Sequence, residues 1–461
     1  MENSESIRNK IHELVREYFE VTHFSNSKNQ FAIDSPKQKT NAENAPVTGK
    51  LINAQDLVSL VDSSLDGWFT EGRFTKIFEK KISEKMNIRN SIFVNSGSSA
   101  NLLAVSALSS KRMNYYVGNK KNKLKHNLRD RKLEKLNPGD EIITTAACFP
   151  TTLNPIIQNN FIPVLVDIEL KSYNVNVDKL KESISDKTKA IFLTHTLGNP
   201  FNINEIVNIC NENNLFLIED SCDAFGGTYD GYPLGSFGDM STLSFYPAHH
   251  ITCGEGGAVQ TDSPLIRKVI ESFRDWGRDC YCETGKDDTC NKRFEWKLGD
   301  LPYGYDHKFI YSEIGYNLKA TDMQAALGSS QIDNIEIFKT RRKENFEYLL
   351  SGLSEISQII LPEKEPKSDP SWFGFPITVK TEHQRTELVK FLNFHEIGTR
   401  LIFAGNIVKQ PAYARVNFKV PMSLEVTDNV MNNSFWIGVH PGLQKENLDH
   451  VISKFKQFFR I

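Results

Sequence analysis

No run of apolar residues in this 461-residue chain reaches the ~18 that a membrane-spanning helix requires, so no membrane span is expected. Cysteine is scarce and odd in number: seven, at positions 148, 210, 222, 253, 280, 282 and 290. An odd count in a long chain argues against a disulfide framework and for a reducing compartment. Charge excess is also lacking, since 55 Lys and Arg face 57 Asp and Glu, a formal net charge of −2. That balance excludes nucleic acid as a bulk electrostatic partner. It leaves open a phosphorylated small molecule held by a local site. There is no internal repeat and no low-complexity tract. Residues 1–18 interleave charges and lack the apolar core of a signal peptide. A cytoplasmic protein of two or three folding units is expected.

What is present is an alternation. Residues 7–19 carry Ile7, Ile11, Leu14, Val15, Tyr18 and Phe19 at helical spacing, an amphipathic helix that docks on the body, on a partner, or lies at the surface. A polar, proline-broken linker follows to residue 46. From about 50 to 260, apolar runs at 91–94, 141–146, 162–167, 190–194, 215–220 and 242–245 read as strands. Helical patterns at 100–108, 177–184 and 203–210 are interleaved with them. Such alternation implies βαβ units and a mostly parallel sheet, with ligands bound at the carboxyl ends of its strands. Residues 111–135 break the pattern with ten Lys or Arg against two acids and read as a solvated insertion. Residues 323–353 read as one long helix. Beyond them, 373–379, 385–394 and 443–459 suggest a smaller α/β unit. The expected division is residues 1–46, a large unit 47–330, and a small C-terminal unit 331–461.

Several stretches carry chemistry. The small residues Asn95-Ser96-Gly97-Ser98-Ser99-Ala100, between a strand and a helix, suit an anion at a helix N-terminus, or simply a serine cap. A strand ends at Glu219-Asp220-Ser221-Cys222-Asp223. The next leads into Ser244-Phe245-Tyr246-Pro247-Ala248-His249-His250 and then a glycine-rich stretch. An acid at one strand end, with a serine and a basic group at the next, is the layout of a type I pyridoxal-phosphate enzyme, in which the acid pairs with the pyridine nitrogen.

The chain resembles the DegT/DnrJ/EryC1/StrS sugar-aminotransferase family over roughly residues 50–461. The motifs are WFTEGR (68–73), NSGSSAN (95–101), FPTTLNP (149–155), EDSCDA (219–224), residues 244–257, and GYNLKATDMQAALG (315–328). The resemblance implies an α/β, type I aminotransferase-like fold with a large mostly parallel sheet domain and a smaller C-terminal α/β domain. It implies that Ser98, Ser99 and Ser244 bind the cofactor phosphate, Phe149 stacks on the pyridine ring and Asp220 holds its nitrogen. Asn317 would reach the phosphate of a neighbouring subunit, hence a homodimer.

Family aminotransferases place a lysine where this chain has His249. Histidine has no primary amine, so the cofactor must be held non-covalently, most simply as pyridoxamine 5′-phosphate (PMP). In isolation a His-His pair is more often structural; in this motif His249 reads as a general base. Tyr246 and Asp223 are candidates for proton handling beside it. The replacement resembles the family's PMP-dependent 3-dehydratases of nucleotide-linked 4-keto-6-deoxyhexoses.

Cys222, Cys280, Cys282 and Cys290 are separated by 57, one and seven residues. The one-residue gap is unusual for zinc and favours iron–sulfur. The spacing resembles the [2Fe–2S] ligands of the branch that dehydrates CDP-4-keto-6-deoxyglucose toward 3,6-dideoxyhexoses of the O antigen. That resemblance implies a CDP-sugar substrate and an NADH-dependent flavin and iron–sulfur reductase as partner. Two other readings stand beside it: an ordinary sugar aminotransferase, against which the missing lysine counts, and a non-catalytic relative stabilised by zinc. Trp372, Arg400, Phe403 and residues 435–441 lie where family members close over the nucleotide, or in the core. Cys148, Cys210 and Cys253 receive no function.

Overall fold

The computed structural model describes residues 3–24, 42–49, 51–116 and 131–461. Its central sheet takes β1 (Asn90–Val94), β2 (Glu141–Thr145), β3 (Ile162–Val166), β4 (Thr188–Thr194) and β5 (Phe216–Asp220). A short hairpin follows, β6 (Thr228–Tyr229) and β7 (Tyr232–Pro233), before β8 (Met240–Ser244) and β9 (Gly257–Thr261). The order across the seven-stranded sheet is β1-β9-β8-β5-β4-β2-β3. β2 to β5 and β8 pair in parallel, and β9 runs antiparallel between β1 and β8. The fold is α/β, with the mostly parallel sheet that the alternation implies. β9 was legible only as a glycine-rich stretch, because Gly257 and Ala258 dilute the apolar signal.

Helices cover both faces, which is why the strands read as continuous apolar runs. The helices Gly97–Ala107 and Pro264–Arg274 pack on one face around Leu103, Val259 and Ile270. Ile203–Asn213 packs on the other around Ile206, Leu193 and Leu217. The predicted helix over 323–353 is two helices, Asp322–Gln331 and Ile335–Leu353, joined by the tight turn Ile332–Asn334. The break lets the first piece pack on Ala54–Leu65 and Arg73–Met86 and the second on Lys445–Phe459.

The C-terminal part adds β10 (Ile359–Ile360), β11 (Ser368–Asp369), β12 (Gly374–Val379), β13 (Thr399–Arg400) and β14 (Ser434–Gly438). They form an antiparallel sheet, β10-β12-β14-β13, while β11 joins the β6–β7 hairpin. The N-terminal helix Ser4–Phe19 packs on Ala54–Leu65, where Arg8 pairs with Asp62 (2.7 Å) and Asp66 (2.5 Å). Of the expected polar linker, residues 25–41 lie outside the described residues. Its end is pinned, with Ala45 buried and bridged to Ile397. Among the described residues no helix is long and apolar enough to cross a membrane.

Residues 117–130 of the basic insertion also lie outside the described residues, but both its ends are anchored on one carboxylate. Tyr116 donates to Asp239 (2.8 Å), and Arg131, 1% exposed at its side chain, pairs with the same group at 2.5 Å. Removing one partner of a buried pair leaves an uncompensated charge. Arg131→Ala is therefore expected to cost about 3–5 kcal/mol, read as a lower urea midpoint.

Two of the six motifs meet through a helix cap. The helix Arg73–Met86 has no side-chain cap of its own. Asp322 supplies it, accepting from the amides of Gly72 (3.0 Å), Phe74 (3.1 Å) and Thr75 (2.8 Å).

Candidate active site

A cavity of about 540 Å³ opens at the carboxyl ends of the parallel strands. Its lining includes Ser98, Phe149, Asp220, Cys222, Asp223, Ser244, Tyr246 and His249, drawn from four separate stretches of chain. Of the other predicted residues, Ser99 lies outside the lining. Its amide and hydroxyl are both engaged by Ser96, at 3.1 and 3.0 Å. Asn317 is also outside it, in a bridge to Asp275.

One end of the cavity is a cup. Ser96 caps the helix Gly97–Ala107, leaving the first-turn amides to face the ligand side. The approach of β8 is close enough that a Cβ on Gly97 would lie 2.5 Å from that of Ser244, so only glycine fits. The floor is Asp220, 3% exposed at the end of β5. It accepts from Asn101 (3.0 Å) and Thr152 (2.8 Å), while Thr242 donates to Asn101 (2.6 Å). Asn101 has no assigned role in the sequence reading. The available signal is its place four residues after Gly97, on the same helical face. Phe149 and Tyr246 are half exposed at the wall.

His249 lines the cavity and His250 does not: its Nε2 lies 2.8 Å from the Ser371 carbonyl, a structural tie. His249 Nδ1 stands 3.6 Å from Asp223 Oδ1. Asp223 Oδ2 and His249 Nδ1 are both buried without a hydrogen-bond partner. Burial, followed by the nearby Arg342 guanidinium, pushes the imidazole down to about 4, against the opposing pull of the Cys222 backbone. Burial and the Asp220 charge push the Asp223 carboxyl up to about 8, against the Leu197 backbone and Arg342. At neutral pH the carboxyl thus keeps its proton and the imidazole is free to accept one. Among the described residues, no lysine lines this cavity.

The mouth is formed by Phe373, Arg400, Leu401, Phe403 and Trp436. Trp372 faces away and stacks on Phe346, ring centres 3.8 Å apart.

The four cysteines are not assembled. The Cys282 amide donates to Cys280 Sγ (3.5 Å), Thr289 donates to Cys282 Sγ (3.1 Å), and Cys290 faces Asp288 (3.9 Å). Cys222 lies in the cavity lining. The Cys280 and Cys282 thiols also interact with each other, and Cys290 lies close enough to act on Cys280. No group of three or more His, Cys, Asp or Glu among the described residues is arranged to hold a metal. The donors suit a thiolate cluster in kind and number.

The cavity, by contrast, fits a planar phosphorylated heteroaromatic: an amide cup, a held carboxylate, a half-exposed phenyl ring and two unpartnered polar atoms. A cup after β1 and a carboxylate at the end of β5, on one edge of this sheet, belong to the type I fold of pyridoxal-phosphate-dependent aminotransferases, which the structural neighbours share. The chain belongs to the DegT/DnrJ/EryC1/StrS aminotransferase family, matching it over residues 51–118 and 126–456. It is 52% identical over 417 residues to the lipopolysaccharide biosynthesis protein RfbH of Salmonella typhimurium, covering 90% of this chain and 91% of that protein. It is 46% identical over 413 residues to a dTDP-4-dehydro-2,6-dideoxy-D-glucose 3-dehydratase of Saccharopolyspora spinosa, covering 89% and 86%. The structure of Escherichia coli GDP-4-keto-6-deoxy-D-mannose-3-dehydratase with bound hydrated PLP superposes with a TM-score of 0.76. It is 27% identical and covers 89% of this chain and 99% of that one.

Proposed function

We propose that this chain is a PMP-dependent 3-dehydratase of a nucleotide-linked 4-keto-6-deoxy sugar, with CDP-4-keto-6-deoxyglucose as its substrate. The observation that carries the reading is a cofactor-shaped cavity lined by His249 and, among the described residues, by no lysine. The 3-dehydratases among its relatives support the reaction class. PMP would supply an amine to condense with the C4 ketone and a ring that takes up an electron pair.

The chain's own residues do the rest. The Gly97 cup, with Ser98 and Ser244, would bind the phosphate, while Ser99 serves the cap beneath it. Phe149 covers the ring face, and Asp220 holds the proton on the pyridine nitrogen. His249 takes a proton at its free imidazole nitrogen, and Asp223, protonated at neutral pH, stands ready to return one as the C3 hydroxyl leaves. Tyr246 shields that exchange from water. Arg400 and Phe403 face the nucleotide. The enzyme works in the cytoplasm as a homodimer, with Asn317 completing the neighbour's phosphate cup.

Completing deoxygenation takes two electrons. Cys222, Cys280, Cys282 and Cys290 would be the thiolate ligands of a [2Fe–2S] cluster, which would supply one-electron transfer from an NADH-dependent flavin and iron–sulfur reductase. The support is the cysteine spacing and the proximity of the free Cys280 and Cys282 thiols. Protein purified without oxygen is expected to carry iron and acid-labile sulfide, with visible bands that bleach on reduction and vanish in Cys282→Ser. Zinc without sulfide would end the redox part of this reading. Supplied with PMP and CDP-4-keto-6-deoxyglucose, the enzyme should release the C3 oxygen as water. An amino sugar formed with glutamate would instead return the chain to the aminotransferases.

A further inference from the structure

Behind His249 lies a buried cation that the reaction above does not use. Arg342, on the helix Ile335–Leu353, is 1% exposed and makes no ion pair among the described residues. Its Nη1 donates to the carbonyls of Trp372 (3.1 Å) and Phe373 (3.2 Å), and its Nη2 to the His249 carbonyl (3.5 Å). Its Nε has no partner. The Phe373 ring packs on the His249 imidazole, centres 5.0 Å apart and tilted by 34°, and lines the cavity. One guanidinium therefore gathers the backbone of the imidazole and the backbone of the ring that buttresses it. His250 adds a parallel tie to Ser371.

The Asp223 carboxyl acts on Arg342 only from beyond ion-pair distance, and a buried arginine without a paired carboxylate is costly, because charge taken out of water is repaid only by good partners. Carbonyl dipoles repay part of it, and a fork of donors reaching several acceptors is what guanidinium offers and ammonium does not. A purely apolar filler would seal this space at lower cost. The arrangement thus points to geometry.

We propose that Arg342 is a positioning residue for His249, holding the imidazole and the Phe373 ring at the cavity wall by gathering the carbonyls of His249, Trp372 and Phe373. The catalytic consequence rests on the reading of His249 as the base; the structural tie does not.

The test compares Arg342→Met and Arg342→Lys in the full-length protein. Misplacing a reacting group by about 1 Å can cost about 100-fold. Arg342→Met should therefore lose about 100-fold in kcat, with KM for the nucleotide sugar within about threefold. Arg342→Lys should recover a clear part of that loss. A second readout is independent of turnover: the imidazole ¹⁵N signals of His249, assigned with His249→Asn, at one fixed pH. They should move in Arg342→Met, while those of His195, bonded to Glu219, stay in place. Should Arg342→Met not fold, Arg342→Gln takes its place in both measurements.

Equal losses in the Lys and Met variants would overturn the proposal, as would a loss confined to KM. So would unmoved His249 signals, whatever the activity does. Full activity in His249→Asn would remove the base assignment alone, and the ¹⁵N shifts would still report on Arg342.

Discussion

His249→Asn is expected to lower turnover about 10³-fold while PMP still binds, because positioned acid–base groups contribute about 10²–10⁴. A factor of 10³ corresponds to about 4 kcal/mol of transition-state stabilisation. Asparagine keeps a polar, planar side chain of similar bulk at the cavity wall but offers no basic nitrogen. The site is otherwise untouched: Asp220, the Gly97 cup and Phe149 reach the cavity from other elements. Single-turnover release of the C3 oxygen, with PMP affinity measured in parallel by fluorescence, reads both quantities. Turnover within tenfold of the parent would mean that the proton is taken elsewhere, with Tyr246 the next group on that wall. Asp223→Asn separates the pair, since it removes the proton donor and leaves the imidazole in place.

Asp220→Asn should lose about 10²–10³-fold, the range seen when a preorganised electrostatic partner is removed. Its carboxylate accepts from Asn101 and Thr152, and Asn101 is itself held by Thr242. An amide there would set donor against donor and remove the charge that favours a protonated ring nitrogen. Cofactor methylated at that nitrogen carries a fixed positive charge. It should recover much of the lost turnover in Asp220→Asn and none of it in His249→Asn. Recovery in both, or in neither, would take the ring nitrogen away from Asp220.

Much of this site was legible because its chemistry is concentrated in short, ordered stretches. Gly97, Asp220, Ser244 and His249 each sit at a strand end or the turn after it, and strand ends are where apolar runs stop. Ser99 shows the limit of that reading: a capping serine and a cup serine look alike until the cap is seen to be closed. Arg342 carried no signal at all, because a cation in an amphipathic helix reads as solvent-facing. Its burial follows from packing with Trp372 and Phe373, about thirty residues further on. The split of the predicted long helix was invisible for a similar reason, as no proline or glycine marks residues 332–334. The cysteine spacing was plain in the sequence, whereas convergence of the thiols depends on loop geometry that spacing does not encode.

The antiparallel insertion of β9 has a consequence for biogenesis. β1 is an edge strand whose partner in the central sheet is β9, and roughly 160 residues separate Val94 from Gly257. At about 5–20 residues per second on the ribosome, β1 waits on the order of 10–30 s for that partner. Until then its apolar run, Ser91 to Val94, has an unsatisfied backbone on both sides, the kind of edge that invites mispairing. The parallel strands β2 to β5 can assemble earlier as successive units. The half of the pocket that carries the Gly97 cup therefore closes late, when β9 slides between β1 and β8.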